Sequence, residues 1–149
     1  MSADRALAAW QSDRMQREQR VAAELRVAAQ RLAEAEARLK ELRDYRGEYH
    51  AAFTQRAGRG LDGVAARDFR VFLHKLDEAI ALQTQRLATL QGERERVFEA
   101  WRDSARELRI IERLRTRRAV RAARALERRD QRALDDRPHC SPLPALVDE

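Results

Sequence analysis

The chain has 149 residues, 38% of them charged and 5% aromatic, with a net charge of +6, five glycines and three prolines. One domain fits that length. Pro138, Pro142 and Pro144 all lie close to the C-terminus; a β-sandwich or an α/β enzyme needs turn residues far more often, so both are excluded and long helices remain.

The first predicted element runs from about 3 to 57. Ser2 or Asp4 can cap its start. Val21, Leu25, Ala28, Leu32, Ala35, Leu39, Leu42, Tyr49 and Phe53 fall at alternating intervals of four and three, broken only by Arg46. That is a coiled-coil seam. Gly58, Gly60 and Gly63 then mark a turn over about 58–63, with Asp62 as a cap for the next helix. The second helix is expected over about 64–136. Its seam is Phe69, Leu73, Leu76, Ile80, Gln83, Leu87, Leu90, Arg94, Val97, Trp101, Ser104, Leu108 and Ile111. The last residues, 137–149, hold the prolines and are expected to be a disordered tail.

Two helices joined by a short glycine-rich turn pack antiparallel. The expected fold is therefore all-α: one domain over 1–136, a long antiparallel two-helix coiled coil. Folding about Leu61 opposes Val21 to Trp101, Leu25 to Val97, Leu32 to Leu90, Ala35 to Leu87, Leu42 to Ile80, Tyr49 to Leu73 and Phe53 to Phe69. Polar layers at Leu39–Gln83, Ala28–Arg94 and Arg46–Leu76 lower stability but fix register. The first helix starts opposite about residue 119, so the second projects beyond it as an overhang.

The composition carries no catalytic signature. There is no phosphate-loop lysine after the glycines, no CxxC, no HExxH and no calcium loop. Cys140 stands alone, which fits a reducing cytoplasm. His139 and Cys140 are adjacent but lack the further ligands a metal site needs. No signal peptide and no apolar run of about 18 residues is visible. The expectation is a non-enzyme with no cofactor, no metal and no small-molecule substrate.

The charge is concentrated. Residues 113–132 carry nine arginines against Glu127 and Asp130, a local +7; the remainder carries 22 basic and 23 acidic groups. Such a block seeks nucleic acid, an anionic membrane face or an acidic protein surface, or is a solvated helix end. Nucleic acid is the less favoured partner, since no aromatic residue and no reader module accompanies the arginines.

A second row runs beside the seam. Arg38, Leu42, Tyr45 and Tyr49 are spaced four, three and four, as are Phe72, Leu76, Ala79 and Gln83. Opposed, they form an aromatic and apolar strip near the turn. It reads either as a widened core or as a docking strip.

The run Leu42-Arg43-Asp44-Tyr45-Arg46-Gly47-Glu48-Tyr49 resembles the LxDYxxEY element of the flagellar export protein family FliJ. Phe72-Leu73 with Leu76, Glu78, Ala79 and Ile80 resembles that family's FxxxLExAI element, and Trp101-Arg102 its tryptophan–arginine element. The resemblance implies a stalk-like rod of the bacterial flagellar type III export apparatus, cytoplasmic and peripheral to the inner membrane. It implies as partners the export ATPase FliI, the cytoplasmic domain of the export gate protein FlhA, and export chaperones. It places gate binding at Leu42, Tyr45, Tyr49, Phe72, Leu76 and Ala79; Arg38 and Gln83 stand where the family often has glutamine and histidine. Arg117, Arg118, Arg121 and Arg124 are the expected contacts to an acidic face of the ATPase. The competing readings are a stalk protein of an injectisome-type secretion system and a basic helical nucleic-acid-binding protein.

Overall fold

The computed structural model describes residues 2–138. Two helices make up almost all of it: α1, Ser2–Ala57, and α2, Gly63–Asp135. At 1.5 Å per residue they are about 84 and 110 Å long. Alanine, leucine, arginine and glutamate, the best helix formers, fill both. Of the tail expected over 137–149, residues 139–149, with His139 and Cys140, lie outside the described residues.

The turn is built from its own backbone. Gly58 N–H donates to the Thr54 carbonyl at 3.2 Å, and Gly60 N–H to Ala57 at 3.3 Å. Gly60 takes φ 89°, which a side chain would resist. The Asp62 carboxylate then accepts from Val64 N–H at 2.7 Å and caps α2.

α1 and α2 form a helical hairpin, and the contacts across it lie within about one helical turn of the expected layers. Phe53 meets Phe69 with ring centroids 5.2 Å apart. Gln83 Nε2 donates to the Ala35 carbonyl at 3.1 Å. Trp101 Nε1 donates to Glu18, one turn from Val21, at 2.9 Å. At the open end Asp4 accepts from Arg118 Nε at 2.9 Å, so α1 begins opposite that residue.

Among the described residues few are buried: Ala35, Leu39, Leu76 and Ile111, with Ser104 as the one polar member. The rest of the seam is half-buried. It also continues toward the N-terminus through Glu18, Arg14, Gln11 and Leu7, which keep the four–three spacing and are half-buried despite three polar side chains. One expected seam residue departs. Arg94 is exposed, and Glu93 lies half-buried beside Ala28 and Val97 instead. The long arginine carries its guanidinium out to water, while the shorter neighbour covers the gap above alanine.

Two of the expected polar layers find specific partners. The small side chain of Ala35 opens its carbonyl to Gln83, which adds a hydrogen bond to an oxygen already inside the helix. Arg46 leaves the seam to pair with Asp77, through Nε and, at 3.5 Å, through Nη2. That hydrogen bond holds the Asp77 carboxyl below its usual range and raises the Arg46 guanidinium.

Leu39→Ala should destabilise the hairpin by about 2–5 kcal/mol in urea unfolding, whereas Leu82→Ala, at a site 68% exposed, should change it by less than ~0.5 kcal/mol. Because Asp77 is lowered on folding, its contribution is complete above the unfolded carboxylate range and fades as pH falls through the folded value. The gap in urea midpoint between the wild type and Asp77→Asn should therefore be constant near neutrality and close below about pH 4.

Candidate docking strip and arginine end

The strip is assembled where the two helices run closest to the turn. Tyr49 is its hub. Its ring centroid lies 4.6 Å from Phe72, 4.9 Å from Phe69 and 6.4 Å from Tyr45. Tyr45 and Phe72 meet edge-on at 6.2 Å, and Phe69 continues to Phe53. The Arg56 guanidinium sits 5.7 Å over the Phe69 ring. Five aromatic rings thus form one continuous cluster, in the tilted and edge geometries that ring quadrupoles favour.

The six expected strip residues are brought together, but not at one depth. Leu76 is buried, and forms part of the floor. Leu42, Tyr49, Phe72 and Ala79 are half-buried, and Tyr45 is 49% exposed. The strip is thus a widened core and an open surface at once. Phe72, which the spacing alone places beside the seam, is packed between both tyrosines. Gln83 turns inward to Ala35, while Arg38 stays exposed and pairs with Glu41 of its own helix at 3.5 Å.

At the other end the structure divides the four arginines. Arg118 is engaged by Asp4. Arg117, Arg121 and Arg124 are exposed and have no ion-pair partner among the described residues. The open end of the hairpin is held by polar contacts. Arg115 donates to Gln11, and Glu107 lies 3.1 Å from Arg14 and 3.8 Å from Arg17. Within the block, the arginines that reach α1 are Arg115 and Arg118, on the side of α2 that faces it. Sequence spacing missed Arg128, which extends the row of Arg117, Arg121 and Arg124, and missed Trp10, Ile110 and Leu114, which are large and exposed beside it. The four–three interval continued past Ile110 was the signal that could have found them.

Among the described residues no group of three or more His, Cys, Asp or Glu could hold a metal ion, and no helix is long and apolar enough to cross a membrane. The arrangement offers surfaces: an aromatic strip on a stiff support at one end and a cationic row at the other.

The depth of each ring decides what its truncation does. Phe72→Ala should lower stability by about 2 kcal/mol, because it removes contacts with Tyr45 and Tyr49. Tyr45→Ala should cost less than ~1 kcal/mol. Thermal and urea melts followed by circular dichroism check both, and they make Tyr45 the cleaner probe of binding.

No curated protein and no solved structure matches the chain. The family described as Flagellar FliJ protein matches residues 6–138. That stretch takes in nearly all of both helices, the aromatic strip and the arginine row, so the chain belongs to the flagellar FliJ family and is a component of flagellar protein export.

Proposed function

We propose that the chain is a non-enzymatic rod of the flagellar type III export apparatus, joining the export ATPase FliI to the cytoplasmic domain of the gate protein FlhA and assisting export chaperones. The observation that carries the reading is the aromatic strip. It combines a buried floor at Leu76 with an open ring at Tyr45. Anchors of this kind, rigid on one side and exposed on the other, are where binding energy concentrates. The gate contacts in this reading are Tyr45, Tyr49, Phe72, Ala79 and Leu42, with Leu76 setting their height.

The ATPase contact is placed at the opposite end, on Arg117, Arg121 and Arg124, with Arg118 available once Asp4 is displaced. Separation of the two ends supports the linking role. Tyr45 and Arg117 are about 45 residues of helix apart along the rod when Tyr45 is taken level with its neighbour Phe72, about 68 Å. Two large partners can therefore bind without collision. The rod needs no reactive group; it acts on ATP hydrolysis by binding some conformations of the ring better than others. Through these partners it is held at the cytoplasmic face of the inner membrane.

Purified full-length protein should be titrated with each partner separately. Tyr45→Ala is expected to weaken gate binding by about tenfold or more and to leave ATPase binding unchanged. Arg117→Glu with Arg121→Glu and Arg124→Glu should do the reverse. Gate affinity unaltered in a folded Tyr45→Ala, Tyr49→Ala variant would remove the strip from this role. If the arginine variant loses duplex DNA binding while still engaging the ATPase, the nucleic-acid reading replaces the ATPase contact.

A further inference from the structure

Along α2, Ile110, Leu114, Arg117, Arg121, Arg124 and Arg128 succeed one another at intervals of four and three. At 100° per residue this keeps all six within roughly 40° of one line, so they form a single row about 27 Å long. Every member is exposed, Ile110 at 59% and Leu114 at 41%. Trp10 of α1, 50% exposed, lies at the level of Leu114, since its neighbour Gln11 accepts from Arg115. Its side of the rod is fixed by Arg14, which sits 5.9 Å over the indole and reaches Glu107, three residues before Ile110 in the same row.

The arginine part of the row holds no acid. Glu127 and Asp130 lie nearby in the chain but point roughly 100° and 160° away around the helix. Among the described residues no ion pair reaches Arg117, Arg121, Arg124 or Arg128. Arg128 uses one N–H on the Arg124 carbonyl at 3.4 Å, and the side chains of Arg117, Arg121 and Arg124 make no hydrogen bond to another described residue. The row is thus apolar at one end and cationic over its next three turns, with both parts on one face.

Each half alone is unselective: arginines attract any polyanion, and exposed leucines any apolar surface. Joined in register, they match a partner that carries apolar side chains and carboxylates on one helical face. Every described residue of the chain from Glu112 onward is exposed, which leaves room for a second helix alongside α2. We propose that this row docks an acidic amphipathic helix of a partner protein, whose apolar residues meet Ile110, Leu114 and Trp10 and whose carboxylates meet Arg117, Arg121, Arg124 and Arg128. The inference rests on the reading of this end as a docking end and specifies the chemistry of what docks there. A nucleic-acid duplex is the weaker match, because it leaves Ile110 and Leu114 in water.

The test uses the full chain and a labelled synthetic peptide of about three Glu-rich heptads with leucines along one face. A scrambled peptide of identical composition, a DNA duplex and vesicles of anionic phospholipid serve as comparisons. Fluorescence anisotropy at about 0.15 M salt should show the patterned peptide binding at least about tenfold tighter than the scrambled one. Replacing Arg117, Arg121, Arg124 and Arg128 by glutamine should abolish binding. Ile110→Ser with Leu114→Ser should bring the patterned peptide down to the level of the scrambled one, with the circular dichroism melt unchanged, since both side chains lie outside the seam. Equal binding of the two peptides would overturn the proposal. So would duplex or vesicle binding that outcompetes the patterned peptide and is indifferent to the serine variant. No ATPase is present in this assay, so its outcome is separable from the ATPase titration: peptide binding with no ATPase binding defeats only the assignment of that partner.

Discussion

Two helices share one line of contact, and every other property of the rod follows from how narrow that line is. A third helix would enclose the seam; without it most seam residues keep one flank in water, and five side chains are buried among the described residues. Hydrophobic burial per residue is correspondingly small. The pairing is therefore fixed as much by shape and by specific polar contacts as by apolar area. The Gln83 bond to Ala35 shows the interplay. It exists because the facing side chain is small enough to let an amide reach the backbone, and a slip by one heptad would remove it.

The two ends of the rod are held by different forces. Near the turn, five aromatic rings interlock, with the Arg46–Asp77 pair beside them. At the open end the contacts are polar: Glu18 with Trp101, Arg14 with Glu107, Gln11 with Arg115, Asp4 with Arg118. Exposed ion pairs of this type weaken with salt and contribute little each. The start of α1 is accordingly the segment that opens at least cost, and opening it uncovers Arg115 and Arg118 next to the free arginine row. The aromatic strip, by contrast, is held by interlocked rings above the buried Leu76.

For a member of the flagellar FliJ family this division describes what a small rod-shaped chain offers to an export apparatus. A rod has a side and an end. Its side near the turn is apolar and aromatic, its far end is cationic, and the stretch between is a mixed-charge surface that attracts neither kind of partner strongly. Selectivity is thereby distributed along the length of the molecule and does not depend on a pocket.

Much of this was legible in the residues. Seam spacing, the glycine cluster and the confinement of proline to the C-terminus determine two long helices folded back on each other, but two four–three repeats align equally well one heptad apart, and it is the packing of Phe53 on Phe69 that selects the register. The aromatic strip could be located as a row offset by one residue from the seam. Its depth could not. Whether a residue flanking the seam lies in the interface or in water depends on the local helix separation, which the facing side chains set; Phe72 is drawn between two tyrosines, while Tyr45, at the equivalent flank of α1, remains half in solvent. The arginines divide for a similar reason. Composition marks residues 113–132 as one block, but charge pairing requires a partner within a few ångströms, and only the tertiary structure places Asp4 beside Arg118 and leaves Arg117, Arg121, Arg124 and Arg128 without a carboxylate among the described residues. Periodicity determines which residues share a face of one helix; what that face meets is decided by the other helix and by where it begins.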